Sequence, residues 1–169
     1  TLTVNNNSVV TGTINGEANN EGILVISADS TFAAGGNIGQ ANNLKRVTID
    51  ENSTFSTGAF GVNATSILAE AGSTFNVGET TISGSVTLTA ATMNFGNLDN
   101  VIDGNVVSAG GSTINLGTGG HNIDGNLVVA ESDLIKVTVD ANSFGAIVST
   151  GSAAIAEGAA LNVTIDSRL

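Results

Sequence analysis

The sequence predicts an all-β fold, a single-stranded parallel β-helix or solenoid, and three observations carry that prediction. Short segments alternate apolar and polar residues with a period of two, as in Arg46-Val47-Thr48-Ile49, Ser85-Val86-Thr87-Leu88, Ile135-Lys136-Val137-Thr138-Val139 and Leu161-Asn162-Val163-Thr164-Ile165, which is the signature of half-buried strands. Clusters of turn-forming residues separate them: Asn5-Asn6-Asn7, Ala34-Gly35-Gly36-Asn37, Gly110-Gly111 and Gly117-Thr118-Gly119-Gly120,. The third observation is repetition.

Two sets of near-copies define the repeat. Ser-Thr-Phe occurs at 30–32, 53–55 and 73–75, each copy following an aliphatic residue and a short polar turn. Downstream, Ile82-Ser83-Gly84-Ser85-Val86, Ile102-Asp103-Gly104-Asn105-Val106 and Ile123-Asp124-Gly125-Asn126-Leu127 share an aliphatic-x-Gly-x-aliphatic pattern offset by 20 and then 21 residues. A coil of about 20–23 residues follows, and roughly eight coils stacked at the sheet spacing rise about 38 Å. One inward ladder consistent with that period runs Val10, Phe32, Phe55, Phe75, Phe95, Leu116, Val139 and Leu161. A sandwich or barrel is the competing all-β arrangement. A leucine-rich repeat has a similar period, but its Leu-rich consensus is missing.

Composition agrees with stacked coils. Strands in register place like side chains above like, and the small uncharged residues Asn, Thr, Ser and Gly tolerate that best. Asn and Gly also occupy the left-handed backbone region at corners, and the chain has 22 Gly and no Pro. A length of 169 residues predicts one unit spanning residues 1–169,. With 41% hydrophobic residues the chain has enough apolar content to fold,.

Charge narrows the partners. Four Lys and Arg against 15 Asp and Glu give a formal net charge of −11. Such a field repels phosphate backbones and anionic headgroups, so nucleic acid is not an expected partner. Apolar runs such as Ile23-Leu24-Val25-Ile26 are far shorter than the ~20 residues of a membrane helix, so direct membrane insertion is not expected either. Cysteine is absent, and with it any disulfide framework or thiolate metal site,. No leader-like segment is present, and the chain reads as a stretch cut from a longer one.

Candidate chemistry is sparse. Asp99, Asp103 and Asp124 are the nearest approach to a carboxylate cluster. Asp103 and Asp124 hold equivalent repeat positions, which would place them about 5 Å apart on adjacent coils, a separation suited to a retaining glycosidase pair or a calcium site. The favoured reading is an Asx turn before Gly in each coil. A polysaccharide lyase also needs a cation near its carboxylates, and the basic residues are only Lys45, Arg46, Lys136 and Arg168. Gly119-Gly120-His121-Asn122-Ile123-Asp124 partly matches a glycine-rich calcium repeat but has no second copy nine residues on, so a structural turn is expected,. His121 is the sole histidine and is expected to be a solvated loop residue,. Asp50-Glu51 and Glu70 are assigned to solubility,. The sequons at Asn6, Asn52, Asn63 and Asn162 reflect Asn-rich composition,. The sequence therefore predicts no catalytic residue, no metal site and no cofactor, and leaves the binding residues unassigned.

The segment Asn37-Ile38-Gly39-Gln40-Ala41-Asn42-Asn43-Leu44-Lys45-Arg46-Val47-Thr48-Ile49, with Gly104-Asn105-Val106 and Gly125-Asn126-Leu127, resembles the secreted passenger regions of rickettsial surface cell antigens, the outer-membrane protein A and B autotransporters. The resemblance implies a right-handed β-helical segment of a larger passenger domain. It would be displayed at the bacterial cell surface, on the extracellular side of the outer membrane, beyond a C-terminal β-barrel. It further implies adhesion to and invasion of host cells through a host cell-surface protein, membership of a dense antigenic surface layer, and neighbouring passenger coils as contacts. A stalk or surface-layer spacer is the alternative function, and a polysaccharide-active enzyme a third. Open coil faces around residues 1–4 and 161–165 predict end-to-end self-association.

Overall fold

The computed structural model describes residues 1–97 and 99–165. It is an all-β solenoid of stacked parallel strands, with three faces enclosing a narrow core. Each face is a ladder of strands contributed one per coil.

The third face in chain order is the most regular. It contains β2 (Asn7–Val10), β4 (Thr31–Ala34), β6 (Thr54–Ser56) and β8 (Thr74–Val77), followed by β10 (Thr92–Phe95), β13 (Thr113–Asn115), β16 (Leu134–Val139) and β19 (Ala160–Ile165). The second face begins with β1 (Leu2–Val4), β3 (Ile23–Ile26) and β5 (Leu44–Ile49), continues through the latter parts of β7 (Val62–Ala69) and β9 (Thr81–Thr89), and ends with β12 (Val106–Ala109), β15 (Leu127–Val129) and β18 (Ala153–Ile155). The first face starts as single bridges linking Ile14, Ile38 and Val62. It becomes a sheet in the early parts of β7 and β9, then in β11 (Asn100–Asp103), β14 (Gly120–Ile123) and β17 (Ala146–Ser149).

Alternation in the sequence becomes alternation in burial. Strands β8 and β10 bury every second residue and leave the intervening ones half-exposed. On the third face the inward rung is Ser8, Phe32, Phe55, Phe75, Met93, Ile114, Ile135 and Leu161. The three Ser-Thr-Phe copies therefore stack as the repeat predicts. Their rings lie parallel, with centroids 5.5 Å apart for Phe32–Phe55 and 5.4 Å for Phe55–Phe75, adding about 0.5–1.5 kcal/mol per pair to their burial.

Leu161 also falls on this rung as predicted, and the other members of the predicted ladder are shifted. Phe95 pairs with Val77 and Val10 with Ala34, while Val139 pairs with Ile165. These side chains and Leu116 lie two to four residues beyond the Phe rung on the same inward face. A displacement by an even number of residues preserves which face a side chain points to, so apolar periodicity alone cannot distinguish neighbouring rungs. Successive rungs are also separated by 18 to 26 residues, a wider range than the repeat suggested.

Two corners explain why the repeats recur. Between the second and third faces, six residues separate Ile26 from Phe32, Ile49 from Phe55, Ala69 from Phe75, Ser108 from Ile114 and Val129 from Ile135. This corner is a tight turn whose third residue is left-handed: Asp29 (φ 58), Asn52 (φ 57), Gly72 (φ 70), Gly111 (φ 82) and Ser132 (φ 66), while the shorter step from Leu88 to Met93 turns at Ala90 (φ 50). The next residue points inward, and where it is serine its hydroxyl can close the turn: Ser53 Oγ donates to Asp50 O at 2.6 Å and Ser112 Oγ to Ala109 O at 2.6 Å.

Between the first and second faces, Gly84, Gly104 and Gly125 stack backbone on backbone. A Cβ on Gly104 would sit 2.5 Å from Gly84 O, and one on Gly125 2.5 Å from Gly104 O. The repeated aliphatic-x-Gly-x-aliphatic motif therefore has a steric cause. Ile82, Ile102 and Ile123 pair before this corner, and Val86, Val106 and Leu127 pair after it.

Candidate functional site

The residues singled out for chemistry serve the coils in different ways. Asp103 and Asp124 follow the paired Ile102 and Ile123, so they do hold equivalent positions, and both are exposed. The corner beside them is held by the adjacent glycines and by the next residues rather than by an Asx turn. Ser85 Oγ accepts Asn105 N–H at 3.4 Å, Asn105 Oδ1 accepts Asn126 N–H at 2.8 Å, and Asn126 Oδ1 accepts Ser152 N–H at 2.9 Å. One polar side chain per coil thus satisfies a backbone donor of the next. Asp99 lies at the opposite end of β11, where its Oδ1 accepts Gly120 N–H at 2.8 Å. Among the described residues, no group of three or more His, Cys, Asp or Glu is arranged to hold a metal ion.

His121 corrects an expectation. It is not a solvated loop residue: it is 1% exposed, on β14, two positions before Ile123 and facing the same interior. Its ring stacks on Phe95 with centroids 4.4 Å apart. Nε2 lies 2.7 Å from Leu116 O, and Nδ1 lies 3.5 Å from Asn100 Nδ2. Nε2–H therefore donates to the carbonyl, and Nδ1 faces the amide donor, which fits a neutral imidazole. Burial drives its pKa below the ordinary 6.5, opposed by the hydrogen bond to Leu116 and by the Asp99 charge,. His121 is a core residue with both ring nitrogens directed at partners.

Asp133 was not singled out by the sequence, yet it is the most elaborately bound polar group described. It is 1% exposed and stands in the inward turn column otherwise occupied by Ser30, Ser53, Ser73 and Ser112. Its carboxylate accepts from Ser108 Oγ at 2.7 Å, Gly111 N at 3.0 Å, Ser112 N at 2.7 Å and Ala130 N at 2.9 Å. Ser108 itself replaces an aliphatic residue in the rung that includes Leu88 and Val129. The two substitutions form one buried polar unit joining adjacent coils. Its donors saturate the carboxylate, so the unit is structural.

The charged surface candidates remain dispersed. Lys45, Arg46 and Lys136 are exposed, as is Glu51, whereas Asp50 and Glu70 are half-buried. Asp50 O and Glu70 O accept the turn hydrogen bonds from Ser53 N and Ser73 N, at 3.1 and 2.9 Å. Arg168 lies outside the described residues. Of the sequon asparagines, Asn6 and Asn52 are left-handed turn residues, with φ of 58 and 57.

Two clefts exist. One of about 320 Å³ is lined by Asn37, Gln40, Ala59, Gly61, Asn63, Thr80 and Thr81. The other, about 370 Å³ near the N-terminal coil, includes Glu17, Glu21, Leu2 and Ile14 in its lining. No Lys, Arg or His lines either, so neither pairs a carboxylate with a side-chain cation.

The exterior of the third face is an ordered surface. Thr31, Thr54, Thr74, Thr92 and Thr113 form one outward column in register, and Ser56, Asn76, Asn94 and Asn115 form the next. The second column is a hydrogen-bonded chain: Asn76 Nδ2 donates to Ser56 Oγ at 3.1 Å, Asn94 Nδ2 to Asn76 Oδ1 at 2.8 Å, and Asn115 Nδ2 to Asn94 Oδ1 at 3.4 Å. These contacts fix a regular polar lattice whose rows are spaced by the strand separation of about 4.8 Å. No protein-family model, characterised protein or solved structure matches this chain.

Proposed function

We propose that this chain is an extracellular passenger segment of a bacterial autotransporter that mediates or supports adhesion to and invasion of host cells. It works without catalysis, by presenting side chains on a rigid frame. The observation that carries the reading is the exterior of the third face, where the Thr column and the Ser/Asn column repeat in register over successive coils. Amide-to-amide hydrogen bonds hold the second column in one conformation before any partner arrives. A pre-ordered surface loses little conformational entropy on binding, which favours recognition of a host surface protein. The resemblance of residues 37–49 to rickettsial surface antigen passengers supports the same placement at the cell surface.

A spacer in a stalk or surface layer is the second reading, favoured by the uninterrupted strand pairing from β2 to β19. In that role the solenoid sets distance, and receptor contacts lie in other parts of the passenger. The two readings separate in a binding experiment with the purified folded protein on host-cell surfaces, using a charge-matched unrelated β-helix as control. Saturable binding competed by unlabelled protein supports adhesion. Binding no greater than the control's rejects adhesion by this segment and leaves the spacer.

A further inference from the structure

The cleft on the outside of the first face carries chemistry that the coil architecture does not use. Three successive coils build it: Asn37 and Gln40 from one, Gly61 and Asn63 from the next, Thr80 and Thr81 from the third. Asn37, Gly61 and Thr81 stand in one outward column, each immediately before a member of the Ile38, Val62 and Ile82 rung. Glycine in the middle of that column opens the cleft. Gly78 and Gly84 are demanded by their surroundings, since a Cβ on them would collide with Gly58 O and Ala64 O respectively. Gly61 is not: its φ lies outside the left-handed region, and a Cβ there would meet Thr81 O at 3.4 Å, Thr80 Oγ1 at 3.7 Å and Asn37 Oδ1 at 3.8 Å, which are ordinary contacts. A side chain at 61 would suit the fold and fill the cleft. The polar groups around it are fixed in advance. Gly61 N–H donates to Asn37 Oδ1 at 2.9 Å, which turns Asn37 Nδ2 to Gln40 Oε1 at 3.0 Å and leaves Gln40 Nε2 as a spare donor. Asn63 Nδ2 donates to Gly39 O at 3.4 Å, leaving Asn63 Oδ1 as a spare acceptor. Neither atom, nor the hydroxyl of Thr80 or Thr81, has a hydrogen-bond partner among the described residues.

We infer that this cleft is a binding site for a neutral saccharide. A sugar ring presents adjacent hydroxyls, each both donor and acceptor, and the cleft answers with an amide donor, an amide acceptor and two hydroxyls. Its volume of about 320 Å³ lies at the small end of ligand sites, about 300–1,000 Å³. Its reach over three coils is two strand separations, about 10 Å. Other ligand classes find less. Among the described residues, no charged side chain and no apolar one larger than Ala59 lines the cleft. An ion therefore gains no salt bridge, the net charge of −11 repels anions, and a hydrophobic ligand buries little,. No aromatic ring in the lining offers a stacking platform, so the affinity should be weak, in the millimolar range,. The site lies on a different face from the Thr and Asn columns and stands apart from adhesion through them.

Amide NMR titration of the folded protein with lactose, maltose, mannobiose and diacetylchitobiose tests this, with sialyllactose and triglycine as charged-sugar and peptide comparisons. At least one neutral disaccharide should give saturable shifts centred on residues 37–40, 59–63 and 80–81. Sialyllactose should bind more weakly and triglycine should not bind. Gly61→Ala keeps the N–H that holds Asn37 and fills the floor of the cleft, so it should weaken binding about tenfold or more with an unchanged circular dichroism spectrum,. Thr80→Val keeps the side-chain shape and removes a hydroxyl, so it should weaken binding about three- to tenfold and gives a second reading should Gly61→Ala disturb the fold. Three outcomes overturn the inference: no saturable shift with any of the four neutral sugars, sialyllactose or triglycine binding at least as tightly as the best of them, or binding that Gly61→Ala and Thr80→Val both leave unchanged.

Discussion

Replacing Asp133 with alanine would test whether its buried carboxylate ties adjacent coils together. The substitution removes acceptors for the N–H groups of Gly111, Ser112 and Ala130 and for the Ser108 hydroxyl. Ser108 can turn wholly to Val128 O, 3.3 Å away, and Gly111 is exposed enough for water to reach it. The N–H groups of Ser112 and Ala130 are left without their partner. At about 1–3 kcal/mol for each unsatisfied donor, less the relief of no longer desolvating a carboxylate, Asp133→Ala should cost about 3 kcal/mol. Asp133→Asn keeps one oxygen for Gly111 and Ser112 but turns an amide donor toward Ala130 N–H, so it should cost about 1–2 kcal/mol. Urea unfolding followed by circular dichroism gives both values from the shift in midpoint at constant slope. A loss below 1 kcal/mol for the alanine variant, or an asparagine variant less stable than the alanine one, would refute the role assigned to the carboxylate.

Three further outcomes follow from the same packing. His121 has a folded pKa below 6.5, so as pH falls through that value its imidazole takes up a proton in the unfolded chain before it does in the folded one. Stability should be fully present above about 6.5 and decline as pH falls through that value toward the folded pKa, while His121→Phe should flatten this part of the profile in a pH series of unfolding curves. Gly104→Ala places a Cβ 2.5 Å from Gly84 O and should cost about 2–4 kcal/mol in urea unfolding, with an unchanged midpoint disproving the tight backbone stack. Ala90→Gly relieves a left-handed alanine at φ 50 and should raise stability by about 0.5–1 kcal/mol, read as an increase in thermal midpoint.

The legible part of the fold is the part anchored to corners of constant length. Ser-Thr-Phe announces itself because each copy follows the six-residue step between the second and third faces, so Phe32, Phe55 and Phe75 return in register. The Gly84, Gly104 and Gly125 motif is visible for the same reason, since four residues separate Ile82 from Val86, Ile102 from Val106 and Ile123 from Leu127. Elsewhere the spacing drifts. From the third face to the first, Ile38 lies six positions after Phe32, Ile123 nine after Ile114, and Ser149 14 after Ile135. A ladder counted through those segments slips, as it did at Phe95 and Val139.

The buried polar residues were readable only after alignment. His121 shares inward parity with Ile123, and Asp133 falls in the column of Ser53 and Ser112. Residue type points away from position here: a lone histidine beside Gly119-Gly120 looks like a loop, and nothing about Glu131-Ser132-Asp133 marks its aspartate as buried. Apart from Ala130, three residues before Asp133, their hydrogen-bond partners lie 5 to 25 residues away in sequence, beyond the reach of local pattern.

The direction of the strand pairing also sets how this protein carries load. Inter-strand hydrogen bonds here run between coils, along the solenoid axis, instead of across it. Tension applied between the two ends therefore pulls on the bonds of the outermost coil first and opens them one after another, as a seam is unpicked. A coil of about 21 residues spans roughly 70 Å when extended and about 4.8 Å when stacked, so each one released lengthens the chain by about 65 Å. Under flow or shear such a segment extends in steps, and it can limit the force transmitted to whatever it holds.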